Sequence, residues 1–226
     1  MAVKLNPKRS ALIIQDLQND VITEGGAFAD SGAPAHAKTQ KVVTNVRSIA
    51  AAARAAGMPV IHVWYIVEKG APGLKQNAPL FEGVAGSKAL VRGTWGAAPA
   101  QGLEPKKGDF IVEKMRMNAF HDTNLETMLK GLGVETVVIT GAWTNFSIEH
   151  TARHAADGGY KAIVVIDGTS TINDEWHDAA LNYALTNIAE RVPTKDVLAA
   201  LKRPAGSAAK KAPVRRRRAR KAPTKK

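Results

Sequence analysis

The stretch "VVITGAWTNFSIEH" places a hydroxyl at the point where a strand pattern changes into a helix pattern. Ser147 follows the apolar run 137–140 and a glycine at 141, and helical spacing begins a few residues later. A helix N-terminus carries partial positive charge, which favours a nucleophile for acyl transfer at this position. The structural alternative is an N-cap, the ordinary role of serine at a helix start.

Two further residues end apolar runs elsewhere in the chain. Asp16 closes "SALIIQD" and Lys114 closes "GDFIVEK". Ligands of open α/β sheets bind beyond the carboxyl ends of the strands, so Asp16, Lys114 and Ser147 are expected to meet in one crevice. Taken singly, the aspartate is typical of a turn and the lysine of a solvated surface. Together they would bring a carboxylate, an ammonium and a hydroxyl into one place, and acyl transfer needs a nucleophile, a base within reach and preorganised donors.

The elements that must position these residues alternate along the chain. Apolar runs predict buried strands, and apolar residues at helical spacing predict the helices between them. This alternation predicts parallel βαβ units in a sheet covered on both faces. The stretch 67–107 is rich in Gly, Pro and Ala and is predicted to form irregular, substrate-covering loops. The predicted strands are 10–16, 59–67, 108–114, 135–141 and 161–168, and the predicted helices are 38–56, 123–130, one beginning at Ser147, and 174–190.

The charge of the chain divides it into two unlike parts. The 226 residues carry a formal net charge of +12. Of the 32 Lys and Arg residues, 12 lie in residues 202–226, which contain no Asp or Glu. The other 20 are matched by 20 acidic residues in 1–201. A neutral domain over residues 1–202 and a disordered basic tail over 203–226 are therefore predicted.

The basic tail is compatible with more than one partner. It has no apolar periodicity, and it could contact nucleic acid phosphates weakly, without sequence specificity and with steep salt dependence. It could equally attach to another acidic surface or serve as a solubilising extension.

The absence of cysteine bears on chemistry and location. With no cysteine in the chain, disulfides and thiolate metal sites are excluded, and a reducing, cytoplasmic interior is expected. No apolar run approaches the roughly 20 residues that span a bilayer, and the start "MAVKLNPKRS" lacks the apolar segment of a secretory signal. No membrane association is expected.

Three separated segments carry a family resemblance. They are "ALIIQDLQND", "VEKMRMNAFHDTNLETML" and "VVITGAWTNFSIEHTARHAADGGYKAIVVIDGTST". In this order, over about residues 10–190, they resemble the isochorismatase-like cysteine hydrolases. The resemblance implies a Rossmann-like three-layer α/β/α domain with a central, mainly parallel six-stranded sheet, a homo-oligomer, and no cofactor. The nearest subgroup is the ureidoacrylate and carbamoyl-amide hydrolases, from "RGTWGAAP", the spacing after Lys114, and His177.

The resemblance also implies a role for each site residue. Asp16 would be the general base, and Lys114 would hold Asp16 and the nucleophile in place. Ser147 stands where the family has its nucleophilic cysteine. A cis peptide between Ala142 and Trp143 would direct the N–H groups of Trp143 and Ser147 toward the developing oxyanion.

Serine in place of cysteine leaves three hypotheses open. A thiol of pKa about 8.5 ionises readily in such a site, whereas a serine hydroxyl needs its proton removed during attack. In the first, the chain is a hydrolase of a small amide, ureido, carbamoyl or vinyl-ether compound that uses Ser147 or a water activated by Asp16. In the second, it is a Cys→Ser trapping mutant of a cysteine amidohydrolase. In the third, it is a non-catalytic protein with a nucleic-acid-binding tail.

The sequence also predicts which residues form the wall of the substrate pocket and whether a metal is bound. His150 and His154 are four residues apart on one helix, but no third ligand is evident, so no metal is expected. Arg116 is a candidate partner for a substrate carboxylate. The candidates for the wall are Trp64, Trp95, Arg116, Asn118, Phe120 and Trp143.

Overall fold

Six strands form one sheet in which every adjacent pair is parallel. The structure, a computed structural model, describes residues 3–202; the predicted basic tail lies outside these residues. The strand order is β3-β2-β1-β4-β5-β6. The strands are β1 (Ser10–Gln15), β2 (Val60–Tyr65), β3 (Phe110–Lys114), β4 (Thr136–Ala142), β5 (Lys161–Ser170) and β6 (Glu190–Val192).

Helices cover both faces of this sheet. Alternate residues of β1 explain the two cores: Leu12 and Ile14 pack in one cluster, and Ala11 and Ile13 in the other. The predicted three-layer α/β class, with a six-stranded parallel sheet, is therefore confirmed. The helices are α1 (Asn19–Ile22), α2 (Ala33–Thr39), α3 (Val42–Ala55), α4 (Pro79–Gly86), α5 (Leu125–Gly131), α6 (Glu149–Asp157), α7 (Asp174–Ala179) and α8 (Thr194–Lys202).

Each core joins distant parts of the chain. The first cluster contains α3 and α8 residues, including Ile49 and Leu201, and the second contains α5 and α6 residues, including Leu129 and Ala152. Complete burial of a leucine or isoleucine contributes about 1.5–3 kcal/mol. None of the helices in residues 3–202 is long and apolar enough to cross a membrane.

The chain reverses its direction of travel across the sheet between β1 and β4. From β1 it proceeds through β2 to β3 at one edge, then returns to β4 on the other side of β1. In open α/β sheets such a switch point creates a crevice at the carboxyl ends of the two central strands. Asp16 directly follows β1, and the turn containing Ser147 directly follows β4.

Two predicted helices were wrong in extent. The predicted helix 38–56 is divided between α2 and α3, because Lys41 adopts a left-handed conformation, with φ of 56°, between them. The predicted helix 174–190 ends as α7 at Ala179 and continues as a π-helical turn over Ala180–Ala184. Residues 190–192 then form β6, which pairs with β5.

Two other regions differ from prediction in detail. Ser147 lies within a π-helical turn, Thr144–Ile148, and α6 begins only at Glu149. The stretch 67–107, predicted as irregular, also contains α4. Its loops return to the segment that follows β1, since Gln18 and Pro99 form an isolated bridge.

Candidate active site

Asp16 and Lys114 form a buried ion pair at the carboxyl end of the sheet. The Lys114 Nζ donates to Asp16 Oδ2 at 2.8 Å and to the Arg116 carbonyl oxygen at 2.9 Å. Both charged residues are only 4% exposed. Lys114 reaches Asp16 across β2, where its ammonium lies 4.7 Å from the Tyr65 ring centroid. This arrangement fixes the carboxylate against the sheet.

Burial controls the ionisation of this pair. Loss of solvation raises the pKa of Asp16 above its usual value, although the Lys114 charge and hydrogen bond oppose the rise. The same desolvation lowers the pKa of Lys114, against the opposing effect of Asp16. A carboxylate with a raised pKa is a better proton acceptor than an ordinary aspartate.

Ser147 is buried beside this pair. It is 3% exposed and lines the same pocket as Asp16. The hydroxyl's own hydrogen bond goes to Met117 Sδ at 3.6 Å, and Asp16 Oδ1 has no hydrogen-bond partner within the described part of the chain. Neither Thr144–Ile148 nor α6 has a side-chain cap, so Ser147 does not serve as an N-cap.

The turn before Ser147 passes very close to β1. At Gly141, with φ of 133°, an added Cβ would lie 2.0 Å from the Gln15 carbonyl oxygen, so only glycine fits. One residue further on, the peptide bond between Ala142 and Trp143 is cis. The Gln15 side chain then donates to the carbonyl oxygen of Ser147 at 3.3 Å. These contacts place the serine turn directly against the strand that ends at Asp16.

A buried histidine attaches the same turn to α7. The His177 Nε2 contacts the Ile166 carbonyl oxygen at 3.1 Å, which requires a proton on Nε2. The His177 Nδ1 therefore accepts the hydroxyl hydrogen of Thr144, at 2.8 Å. Burial lowers the pKa of His177, which favours this neutral form. Thr171 adds a second attachment by donating to Asn145 Oδ1 at 2.6 Å.

Asp20 joins loops near the site through hydrogen bonds to their backbone. Its carboxylate accepts the N–H of Leu90 at 2.7 Å and that of Ala27 at 2.9 Å. A Cβ at Gly96 would lie 2.1 Å from this carboxylate, so glycine permits the close approach. Phe28, which directly follows Ala27, lines the pocket of the site, and so does Leu90.

Asp16 and Ser147 open onto one pocket. The space between its walls is about 410 Å³, including the part that opens to solvent. Trp143 lies in the wall, as predicted from its place in the turn, and contacts Phe28 with ring centroids 5.8 Å apart. The lining residues are Asp16, Val21, Phe28, Tyr65, Leu80, Val84, Leu90, Met117, Ala142, Trp143, Phe146 and Ser147.

Two tryptophans predicted for the wall lie elsewhere. Trp64 packs against His62 on β2, with ring centroids 6.4 Å apart. Trp95 is 56% exposed, and its carbonyl oxygen accepts the Asn19 side chain. Neither lines the pocket. At the end of β2 it is the neighbouring Tyr65 that does so.

The other three predicted wall residues also have their own partners. The Arg116 guanidinium lies 3.5 Å from the centroid of the Phe81 ring and donates to the Lys75 carbonyl oxygen and the Asn77 side chain. The Asn118 Nδ2 contacts His154 Nδ1 at 2.9 Å. Phe120 is buried in the second core and stacks on the same histidine.

The sequence reasoning missed most of the apolar wall. Tyr65 could have been found from the rule that selected Asp16, because it is the last residue of β2. Phe28 and Leu90 come from turns between the elements, and Leu80 and Val84 come from the short helix α4. Their positions depend on long-range contacts such as those of Asp20, for which the sequence carries no periodic signal.

A comparison with protein families supports the resemblance. The family description "Isochorismatase domain" matches residues 10–196, a span that contains every strand and the whole pocket lining.

Solved structures give the same result. A cysteine hydrolase from Pseudomonas syringae pv. phaseolicola 1448A is 25% identical, with a TM-score of 0.78, over 88% of this chain and 95% of that chain. An isochorismatase family protein from Desulfovibrio vulgaris subsp. vulgaris str. Hildenborough is 27% identical, with a TM-score of 0.74, over 86% and 99%. N-carbamoylsarcosine amidase from Thermoplasma acidophilum shares the fold, at 24% identity and a TM-score of 0.64, over 82% and 96%.

Proposed function

This chain belongs to the isochorismatase family of hydrolases, and from that membership we propose that it hydrolyses a small amide, ureido or carbamoyl compound at Asp16, Lys114 and Ser147. The observation that carries the proposal is the 2.8 Å ion pair between Lys114 and Asp16, buried beside a serine on the wall of a pocket. A base of raised pKa next to a hydroxyl is what the first step of acyl transfer needs.

In the proposed reaction Ser147 attacks the substrate carbonyl carbon. The Oγ–C bond forms as the hydroxyl proton passes to Asp16 Oδ1, the oxygen that has no partner in the structure. The N–H groups of Trp143 and Ser147 stabilise the oxyanion. The C–N bond then breaks, and the nitrogen leaves with the proton from Asp16. Water attacks the acyl-serine and gives one proton to Asp16. As the bond between the acyl carbon and Oγ breaks, Asp16 returns this proton to Oγ, and the acid leaves from the free serine hydroxyl.

Lys114 positions the base throughout this sequence. Its ammonium holds Asp16 Oδ2, so that Oδ1 is the oxygen available for proton transfer. Loss of the cation would leave an unpaired buried carboxylate, which is strongly unfavourable.

A second route uses water in place of Ser147. The hydroxyl of Ser147 contacts Met117 Sδ, and no hydrogen bond joins it to Asp16. A water on Asp16 Oδ1 would then attack directly, while Ser147 contributes only its N–H group.

Product release from a panel of amide, ureido and carbamoyl compounds tests the proposal. The protein, Ser147→Cys and Ser147→Ala are compared on the same panel. We expect turnover by the protein and loss of most of it in Ser147→Ala. Activity that survives in Ser147→Ala favours the water route, and activity only in Ser147→Cys favours the trapping-mutant hypothesis. If none of the three proteins turns over any compound, the hydrolase proposal is wrong.

The basic tail remains a separate proposal. Residues 203–226 lie outside the described part of the chain, and weak nucleic-acid binding through phosphates is proposed for them from composition alone. DNA binding that is unchanged after deletion of 203–226 would contradict it. Self-association, also proposed from the family resemblance, is tested by sedimentation.

A further inference from the structure

The walls of the pocket are apolar almost throughout. Eight of the twelve lining residues carry aliphatic, thioether or phenyl side chains, and they surround Asp16 and Ser147. Such a surface gains by burying apolar groups of a ligand, at about 25 cal/mol per Å² of apolar area removed from water. It offers nothing to compensate the desolvation of a charge.

Three polar atoms of the lining residues have no hydrogen-bond partner among residues 3–202. They are Asp16 Oδ1, the Tyr65 hydroxyl and the Trp143 indole nitrogen. Asp16 and Tyr65 are more than nine-tenths buried. Burial raises the pKa of Tyr65 well above its usual range, so its hydroxyl keeps its hydrogen and can donate. The lining residues therefore include two unpaired donors and one unpaired acceptor, and buried groups of this kind are ordinarily paired.

The cations near the pocket are already occupied. Lys114 is paired with Asp16, so this buried pair carries no net charge. Arg116, the residue predicted to bind a substrate carboxylate, lies against Phe81 and donates to Lys75 and Asn77. Among residues 3–202, no lysine or arginine side chain lines the pocket.

A carboxylate on the substrate would be unfavourable here. It would lose its hydration without gaining a cationic partner, because the lysine beside the pocket is already paired with Asp16. A neutral carbonyl oxygen, by contrast, suits the Tyr65 and Trp143 donors.

We propose that this pocket selects a small uncharged amide with a compact apolar acyl group, whose polar end is bound by the Tyr65 hydroxyl and the Trp143 indole N–H. This inference rests on the proposed hydrolase function and specifies its substrate class. It excludes amides with a free carboxylate and carboxylated vinyl ethers as good substrates.

Matched amides that differ by one carboxylate test the selection. Isobutyramide is compared with 3-carbamoylbutanoate, and benzamide with 4-carbamoylbenzoate. Ammonia release is measured with the protein and with Ser147→Cys, and affinity is measured by calorimetry with Ser147→Ala. We expect kcat/KM and affinity to favour the neutral member of each pair by at least about 100-fold. Equal values, or preference for the carboxylate, would overturn the proposal.

Two variants test the donors. Tyr65→Phe and Trp143→Phe each remove one hydrogen-bond donor and keep an apolar wall, and each is expected to weaken binding of isobutyramide about tenfold. Tyr183→Phe is the matched control, because Tyr183 is 84% exposed and does not line the pocket. Unchanged affinity in both Tyr65→Phe and Trp143→Phe would contradict the role of these donors.

A variant that adds a cation to the pocket wall tests the charge argument through a gain of affinity. Leu80 lines the pocket and is only half-buried, so Leu80→Arg can place a cation at the wall. We expect it to improve affinity for 3-carbamoylbutanoate relative to isobutyramide at least tenfold. An unchanged ratio in a folded Leu80→Arg protein would contradict the argument.

Binding and turnover separate this inference from the proposed function. Neutral amides that bind selectively but are never hydrolysed would support the pocket selection and contradict the hydrolase proposal. Hydrolysis that prefers carboxylated amides would support the hydrolase proposal and contradict the pocket selection.

Discussion

The carboxylate of Asp16 and the ammonium of Lys114 lie 2.8 Å apart, although 98 residues separate them in the chain. Asp16 follows the central strand β1, and Lys114 ends the edge strand β3, so the lysine side chain extends past β2 to reach its partner. Parallel strands that end at the same edge of the sheet make this contact possible. The ion pair therefore depends on the topology of the whole sheet.

The ion pair predicts the pH dependence of hydrolysis. Asp16 must be ionised to act as base, and burial raises its pKa, so kcat/KM should fall on acidification at a pH above the ordinary value of about 3.9. Lys114 must stay charged, and burial lowers its pKa, so activity should also fall on the alkaline side below about pH 10.4. A pH–rate profile on the best amide measures both limits.

The acid and alkaline limits of the pH–rate profile belong to the coupled Asp16–Lys114 pair. A variant can test whether the alkaline limit arises from Lys114. In Lys114→Arg the cation stays charged throughout the accessible range, so the alkaline decline should move to higher pH. An alkaline limit that stays in place in a folded, active Lys114→Arg protein would contradict the assignment.

The hydrogen bond from Thr144 to His177 predicts a positioning role for this pair. Thr144→Val removes the donor, leaves the buried His177 Nδ1 unpaired and costs about 1–3 kcal/mol of stability. Because the serine turn loses an attachment, kcat should fall about tenfold with little change in KM. Thr144→Ser keeps the hydroxyl and should restore kcat. Equal kcat values for the valine and serine variants would rule out positioning.

Asp109 predicts a stability effect far from the pocket. Its carboxylate, 3% exposed, accepts bonds from Arg54 at 2.6 and 3.0 Å and contacts His62 at 3.1 Å. Asp109→Asn should lower the free energy of unfolding by about 3 kcal/mol at neutral pH, because the partly buried Arg54 loses its counterion. Denaturant unfolding measures the change. Glu113→Gln, which breaks an exposed ion pair with Arg92, should cost less than about 1 kcal/mol.

Acid should reduce the Asp109 effect. Burial alone would raise the pKa of Asp109, but hydrogen bonds from Arg54, the Lys106 N–H and His62 together hold it below its usual value. A depressed pKa contributes stability above the unfolded-state value of about 3.9, and this is lost as the pH falls through the folded-state value. The difference between the protein and Asp109→Asn should therefore shrink below pH 4. A difference that is constant with pH would contradict this account.

The strands were predictable because their signal is local. The apolar runs ending at Asp16 and Lys114 mark buried parallel strands directly, and the alternation with helices gives the fold class. β6 could not be predicted, since its three residues carry no apolar run and are defined only by pairing with β5. Similarly, the division between α2 and α3 depends on the left-handed conformation of Lys41.

The site was predictable in its polar centre and much less so in its walls. The strand-end rule gathers Asp16, Lys114 and the Ser147 turn without any knowledge of side-chain contacts. Tyr65 was passed over for the adjacent Trp64, because the exact end of β2 decides which side chain meets the pocket. Arg116 was assigned to a substrate, yet its guanidinium stacks on Phe81, a contact between residues 35 positions apart.

The rate of amide hydrolysis by Asp16→Asn tests the central claim most directly. Asparagine keeps the shape of the side chain but cannot accept the proton, so kcat should fall about 10³-fold while isobutyramide affinity remains close to that of the protein. The free energy of unfolding should fall by about 3 kcal/mol, because the buried Lys114 loses its counterion. Asp30→Asn, at an exposed position, is the control and should leave the rate unchanged. A folded Asp16→Asn protein that releases ammonia within tenfold of the original rate would contradict the account.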